Sequence, residues 1–266
     1  MPNAAAFFDL DRTLIAGTSL LPVGIEAWRE GLADNSEMAK WAAAALVFIL
    51  LGDKGDDSTD AVGSDLLVQI AGASASAVDA LGGAVLPHLE KKVRPEAHKL
   101  INMHHEAGRE TWIVSASPQK MVEPLAHSLG MRGAIGTKGE IVDGHYTGKL
   151  DGPFVYGEGK AESVEKLASD RGYDLALCYA YSDSVSDLPM MELVGHPVAV
   201  NPDSNLDRVA HERGWPVVIF ARKAKRAMAF GGVGTGTVAA SIVAYLLGRR
   251  HGRSATLAQI AQRDLN

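Results

Sequence analysis

Apolar runs that alternate with helical stretches set the outline of this fold. Runs suited to buried strands occupy residues 4–10, 111–114, 175–181, 198–200 and 217–220. Helical stretches lie between most of them, at residues 95–107, 118–129, 160–168 and 203–212. The first two open on Pro95 and Pro118 and stop before Gly108 and Gly130, the asymmetry expected of helix ends. Strands alternating with helices predict an α/β fold, a parallel sheet core flanked by helices with right-handed crossovers. Ligands of such sheets bind beyond the carboxyl ends of the strands. Asp9, Ser115 and Asp183 each fall at or just past such an end.

One segment breaks the alternation. Residues 15–92 read as helical throughout, with 36–51 the clearest case. So long an insertion directly after the first strand exceeds an ordinary loop. It reads as an inserted all-helical cap over the strand ends. The expected division is a core of residues 1–14 and 93–222, a cap of 15–92, and a basic and apolar tail of 223–266. Asp143-Gly144 between apolar runs predicts a two-residue hairpin within residues 140–147.

Charge and cysteine content narrow the partners. A formal net charge of −6 argues against a nucleic-acid binder. The lone Cys178 cannot form an internal disulfide, which fits a reducing, cytoplasmic setting; its apolar neighbours place it in the core. Residues 228–247 carry no charge and are bracketed by basic residues. Their length meets the threshold for a bilayer span, but glycines and threonines weaken the apolar character of the first half. Membrane contact through this tail and a helix packed on protein therefore both stay open.

Four clusters carry chemistry. Asp9 and Asp11 close the first strand two residues apart, followed by Thr13. On an extended strand they would share a face, and two such carboxylates repel unless a cation or a proton lies between them. Ser115 ends the second apolar run ahead of a helix, where backbone N–H groups can hold an anion. Lys160 stands at a helix start, and Asp183 and Asp187 follow the run at 175–181. Together these offer carboxylates for a hard divalent cation, donors for phosphate oxygens, and one ammonium. Ser117 reads as the N-cap of the following helix. His104 and His105, adjacent on a helix, read as surface residues.

The four clusters, in this order, resemble the haloacid dehalogenase superfamily phosphatases, in the branch of the phosphoserine phosphatases (the SerB family). Motifs of that family are Asp-x-Asp-x-Thr, a Ser or Thr after an apolar strand, a Lys, and Asp-x-x-x-Asp. The resemblance covers residues 4–220 and implies a Rossmann-like core with a helical cap. It implies Asp9 as the nucleophile forming an aspartyl-phosphate and Asp11 as general acid and then base. Mg²⁺ would be held by the Asp9 side chain, the Asp11 backbone carbonyl and Asp183, completed by water. Ser115, Lys160 and Thr13 would bind the substrate phosphate, with Asp187 orienting Lys160 or metal-bound water. The run from Ala180 to Met190 resembles an actinobacterial subgroup of that branch.

The chain departs from phosphoserine phosphatases in one respect. Thr18 stands where they carry a glutamate, and Arg29 is the only arginine between Arg12 and Arg94. Glu26 and Arg29 form a substitute pair for gripping an amino acid or, at this helical spacing, pair with each other. The reading is therefore a Mg²⁺-dependent hydrolase of a small phosphorylated metabolite. Two alternatives stand beside it: a membrane-associated phosphatase of a lipid phosphate, and a non-catalytic regulatory protein on the same fold.

Overall fold

The computed structural model describes residues 3–29, 31 and 71–220. The expected helix at 36–51 and the uncharged stretch at 228–247 lie outside the described residues.

Six strands form one parallel sheet in the order β3-β2-β1-β6-β7-β8. They are β1 (Ala5–Asp9), β2 (Glu110–Pro118), β3 (Gly133–Thr137), β6 (Tyr179–Ser182), β7 (His196–Val200) and β8 (Val217–Val218). A separate antiparallel pair, β4 (Gly139–Val142) and β5 (His145–Leu150), makes the hairpin expected at Asp143-Gly144. Both turn residues have positive φ, 50° and 78°, as a tight two-residue hairpin requires.

The central strand β1 is buried along its whole length. Ala6 and Phe8 enter one apolar cluster, with Ile113 and Val122. Ala5 and Phe7 enter the other, with Val164, Cys178 and Met190. Alternate residues thus face opposite sides of the sheet, and each buried phenylalanine contributes ~1.5–3 kcal/mol. Flanking helices are α3 (Pro95–Glu106), α4 (Gln119–Ser128), α5 (Glu158–Arg171), α6 (Leu188–Glu192) and α7 (Ser204–Arg213); all but α6 match the four expected helices to within a few residues.

Three local expectations need correction. Strand β3 was not visible as an apolar run because two of its five residues are glycines. A Cβ on Gly136 would lie 2.8 Å from Ser117 O and from Gln119 Cα, so close packing forbids a side chain there. Residues Leu175–Leu177 form a 3₁₀ turn capped by Asp174, and β6 begins only at Tyr179. His104 is fully buried, not on the surface. Its Nδ1 accepts from Arg109 Nε at 2.7 Å and its Nε2 lies 2.8 Å from the Tyr181 hydroxyl. Desolvation, reinforced by Arg109 and His105, pushes its pKa down to about 4.

Two helices of the inserted segment are described, α1 (Leu20–Arg29) and α2 (Ala75–Glu90). The chain leaves and rejoins the core through an antiparallel clasp. Ile15 bridges Val93, Ala16 N–H donates to Lys92 O at 2.8 Å, and Arg94 N–H donates to Leu14 O at 2.9 Å. Helix α2 packs on α4 at Gly82, where a Cβ would come within 2.3 Å of Lys120 O. Just before α2, residues 72–75 pair with β5: Gly72 N–H donates to Tyr146 O at 2.7 Å and Tyr146 N–H to Ala73 O at 2.9 Å. Among the described residues no helix is long and apolar enough to cross a membrane.

Candidate active site

Sheet register brings three strand ends together. Asp9, last in β1, is level with Val114 of β2, and Phe8 is level with Tyr181 of β6. Ser115 therefore lies one residue beyond Asp9 on one side, and Ser182 and Asp183 emerge on the other. Asp9, Ser115, Lys160, Asp183 and Asp187 are all buried.

The strand does not carry Asp11, contrary to the reading that both carboxylates share one extended face. After Asp9 the chain winds through a single wide turn, Leu10–Leu14, closed by Ile15 N–H donating to Leu10 O at 3.0 Å. Arg12 takes φ 63° inside it, and Asp11 turns toward Ser19. Ser19 N–H donates to Asp11 Oδ1 at 2.6 Å and Ser19 Oγ to Oδ2 at 3.0 Å. Ser19 gave no signal in the sequence, being one hydroxyl among many.

Lys160 sits in the first turn of α5 and joins two motifs. Its Nζ donates to Asp9 Oδ1 at 2.7 Å and to Asp187 Oδ2 at 2.8 Å. Asp187 also accepts from Ser182 Oγ at 2.6 Å. As the residue preceding α6, Asp187 makes no side-chain cap, so the lysine, not the helix end, engages its carboxylate. Ser117 is likewise no cap: α4 begins after Pro118 without a side-chain cap. The Ser117 hydroxyl instead lies 2.8 Å from Ser19 Oγ. Ser115 Oγ accepts from Ser117 N–H at 3.2 Å.

Asp183 is flanked by two residues of the first motif. Thr13 Oγ1 donates to its Oδ1 at 3.4 Å, and Arg12 Nε lies 2.9 Å from its Oδ2. Asp203 supports the loop from behind: its N–H donates to Asp183 O at 2.7 Å and its Oδ2 accepts from Val185 N–H at 3.0 Å. Ser182 and Ser184 tighten the same loop, with Ser184 N–H donating to Ser182 Oγ at 3.2 Å.

Burial without enough positive charge raises these carboxyls. Desolvation, with Asp187 and Asp11 adding to it against Lys160, pushes Asp9 up to about 7. Asp11 is raised by desolvation against its two Ser19 bonds. Asp183 is raised well above the usual range by desolvation and then by Asp9. Burial disfavours the Lys160 ammonium, but Asp187 and Asp9 outweigh it and hold its pKa above the ordinary value. A cluster so short of cations suits a divalent ion. Two buried oxygens, Asp183 Oδ2 and Asp187 Oδ1, accept no hydrogen bond, leaving lone pairs for a metal or its water. Among the described residues no three His, Cys, Asp or Glu side chains form a metal cluster. A set of two carboxylates and one carbonyl stays compatible with that.

In α1, Glu26 is buried and engaged by its own surroundings. Arg29 Nη1 lies 2.5 Å and His88 Nε2 3.2 Å from its Oε1. The intrahelical pairing is the one the structure adopts.

Over 260 residues the chain is 38% identical to a probable phosphatase of Mycobacterium tuberculosis (strain H37Rv), covering 93% of this chain and 90% of that protein. It is also 38% identical over 240 residues to the phosphoserine phosphatase SerB1 of the same organism, covering 87% of this chain and 78% of that protein. A solved structure, a phospho-aspartyl intermediate analogue of phosphoserine phosphatase, superposes with a TM-score of 0.58 at 17% identity. It covers 86% of this chain and 99% of that one, and speaks for the fold alone. The profile of haloacid dehalogenase-like hydrolases matches residues 6–192. The chain belongs to that family, as a phosphatase acting on phosphoric monoesters.

Proposed function

We propose that this enzyme hydrolyses a small organic phosphate with Mg²⁺, through a phosphorylated Asp9. The observation that carries the reading is the Lys160 ammonium on Asp9 Oδ1 at 2.7 Å, beside a second carboxylate, Asp11, held separately by Ser19. With Oδ1 engaged, Oδ2 of Asp9 is the oxygen left to attack phosphorus. The bond from phosphorus to the leaving oxygen breaks, and Asp11 delivers its proton to that oxygen. Asp11, now ionised, takes a proton from the water that attacks the aspartyl-phosphate, releasing phosphate and restoring Asp9. Lys160 neutralises nucleophile and phosphoryl group, and Asp187 holds Lys160 in place. Ser115 and neighbouring amides would donate to phosphate oxygens, and Thr13 steadies Asp183.

The Asp9 and Asp183 carboxylates and the Asp11 carbonyl are the groups that would hold Mg²⁺. Bound there, the ion supplies the positive charge that lets an anionic nucleophile approach a phosphate dianion.

The domain division follows from the same reading. Residues 1–14 and 93–222 form the catalytic core, 15–92 a helical cap that selects the leaving group, and 223–266 a tail. The relative named phosphoserine phosphatase makes phosphoserine the first substrate to try. The mutual pairing of Glu26 with Arg29 and His88 weighs against that pair gripping an amino acid. The deciding experiment is a screen of phosphorylated metabolites, including phosphoserine and lysophospholipids, with Mg²⁺ and with EDTA. Phosphate release that needs both Mg²⁺ and Asp9 supports the reading; turnover by the Asp9→Asn protein ends it.

A further inference from the structure

We infer that Lys92 is a positioning residue for Asp11, acting through the peptide that joins Thr18 to Ser19. The inference rests on the reading of Asp11 as acid and base. Lys92 Nζ donates to Thr18 O at 2.8 Å. Ser19 N–H, at the other end of the same peptide unit, donates to Asp11 Oδ1 at 2.6 Å. That peptide is trans, so its C=O and N–H point in opposite directions from one rigid plane. An ammonium on one end and a carboxylate on the other therefore fix the plane from both sides. The ammonium also polarises the carbonyl, and polarisation along a chain of hydrogen bonds strengthens the N–H at its far end as a donor.

Ser19 completes the grip. Its hydroxyl meets Asp11 Oδ2 at 3.0 Å and lies 2.8 Å from Ser117 Oγ. One residue thus orients both oxygens of Asp11, while Lys92 holds its peptide from one side and Ser117 meets its hydroxyl from another. Lys92 is only partly buried. Burial disfavours its ammonium, and the Asp11 charge offsets part of that loss, so the two groups act on each other across the peptide. Lys92 follows α2, and Ser19 immediately precedes α1. The clasp holds the two together: Ala16 N–H donates to Lys92 O at 2.8 Å. Asp11 is aimed only while the departing and returning stretches of chain stay in register.

The test compares two aryl esters on the full-length protein with Mg²⁺. Phenyl phosphate needs its leaving oxygen protonated; 2,4-dinitrophenyl phosphate does not. Lys92→Met should slow turnover of phenyl phosphate by about tenfold or more, a fraction of what a general acid contributes. The initial burst of dinitrophenolate should stay within about twofold of the parent protein, then give way to a slower steady phase, because Asp11 must still deprotonate water. Lys92→Arg should restore phenyl phosphate turnover. Equal slowing of phenyl phosphate turnover and of the dinitrophenolate burst, or of neither, would overturn the inference. Asp11→Asn is measured in parallel. If it fails to discriminate the two esters, the acid–base reading falls and the inference with it. If it discriminates and Lys92→Met does not, the inference alone falls. Should Lys92→Met not fold, Lys92→Gln is measured by the same comparison.

Discussion

Arg12 Nε lies 2.9 Å from Asp183 Oδ2, with the carboxylate almost wholly buried and the guanidinium partly exposed. The contact is an ion pair without hydrogen-bond geometry, since that oxygen accepts no hydrogen bond. Arg12 therefore supplies charge to a carboxylate that the proposed Mg²⁺ site also uses. Replacing Arg12 by Met should destabilise the protein in EDTA by about 1–3 kcal/mol, because it leaves a buried polar oxygen without its partner. Adding Mg²⁺ should then raise Tm by more in Arg12→Met than in the parent protein. Thermal scans with EDTA and with Mg²⁺ check this; equal shifts in both proteins would count against competition for Asp183.

Asp9→Asn removes the attacking oxygen while keeping the shape of the side chain. Hydrolysis of p-nitrophenyl phosphate with Mg²⁺ should fall by at least about a thousandfold. Lys160 retains Asp187 as its partner, so the variant should remain folded by circular dichroism.

Gly159 precedes Lys160 at the start of α5, and a Cβ there would lie 1.9 Å from Phe154 O. The backbone must shift to admit even a methyl group. Gly159→Ala should lower stability by about 1–3 kcal/mol and reduce kcat by about tenfold or more, as Lys160 is carried away from Asp9. Denaturant titration and steady-state assay measure the two losses. Normal kcat in a destabilised variant would show that the lysine tolerates the shift.

His104 gives the fold an acid-sensitive element beside Tyr181. With Nδ1 accepting from Arg109, the ring is neutral and Nε2–H donates to Tyr181. Its pKa in the fold, about 4, lies below the ~6.5 of an unfolded chain. Between these values the unfolded state binds the extra proton, so stability falls as pH drops from 6.5 toward 4. His104→Gln should be less stable at pH 7.5, and the gap in Tm from the parent protein should shrink on acidification to pH 5. A constant gap would show that His104 does not titrate in this window.

Much of this architecture could be read from residue order alone, because periodicity and strand-end chemistry are local properties. The strands around Asp9 and Asp183, the helix starts at Pro95 and Lys160, and the Asp143-Gly144 turn all follow from short stretches. What escaped depends on distant partners. Strand β3 is hidden by Gly136, whose lack of a side chain answers to the backbone at Ser117 and Gln119. His104 looks like a surface residue until Tyr181, Tyr179 and Arg109 close over it. Asp11 was expected on the strand, but a turn with Arg12 at positive φ takes it to Ser19. No periodicity encodes such a choice of hydrogen-bond partner.

The pairing of residues 72–75 with β5 joins two insertions that enter the core at separate points of the chain. Neither edge is self-sufficient, since each satisfies backbone groups of the other. Grafting the first insertion from a relative onto this protein would leave one border with dangling amides unless the donor's hairpin travelled with it. For anyone building chimeras, the two pieces form a single cassette.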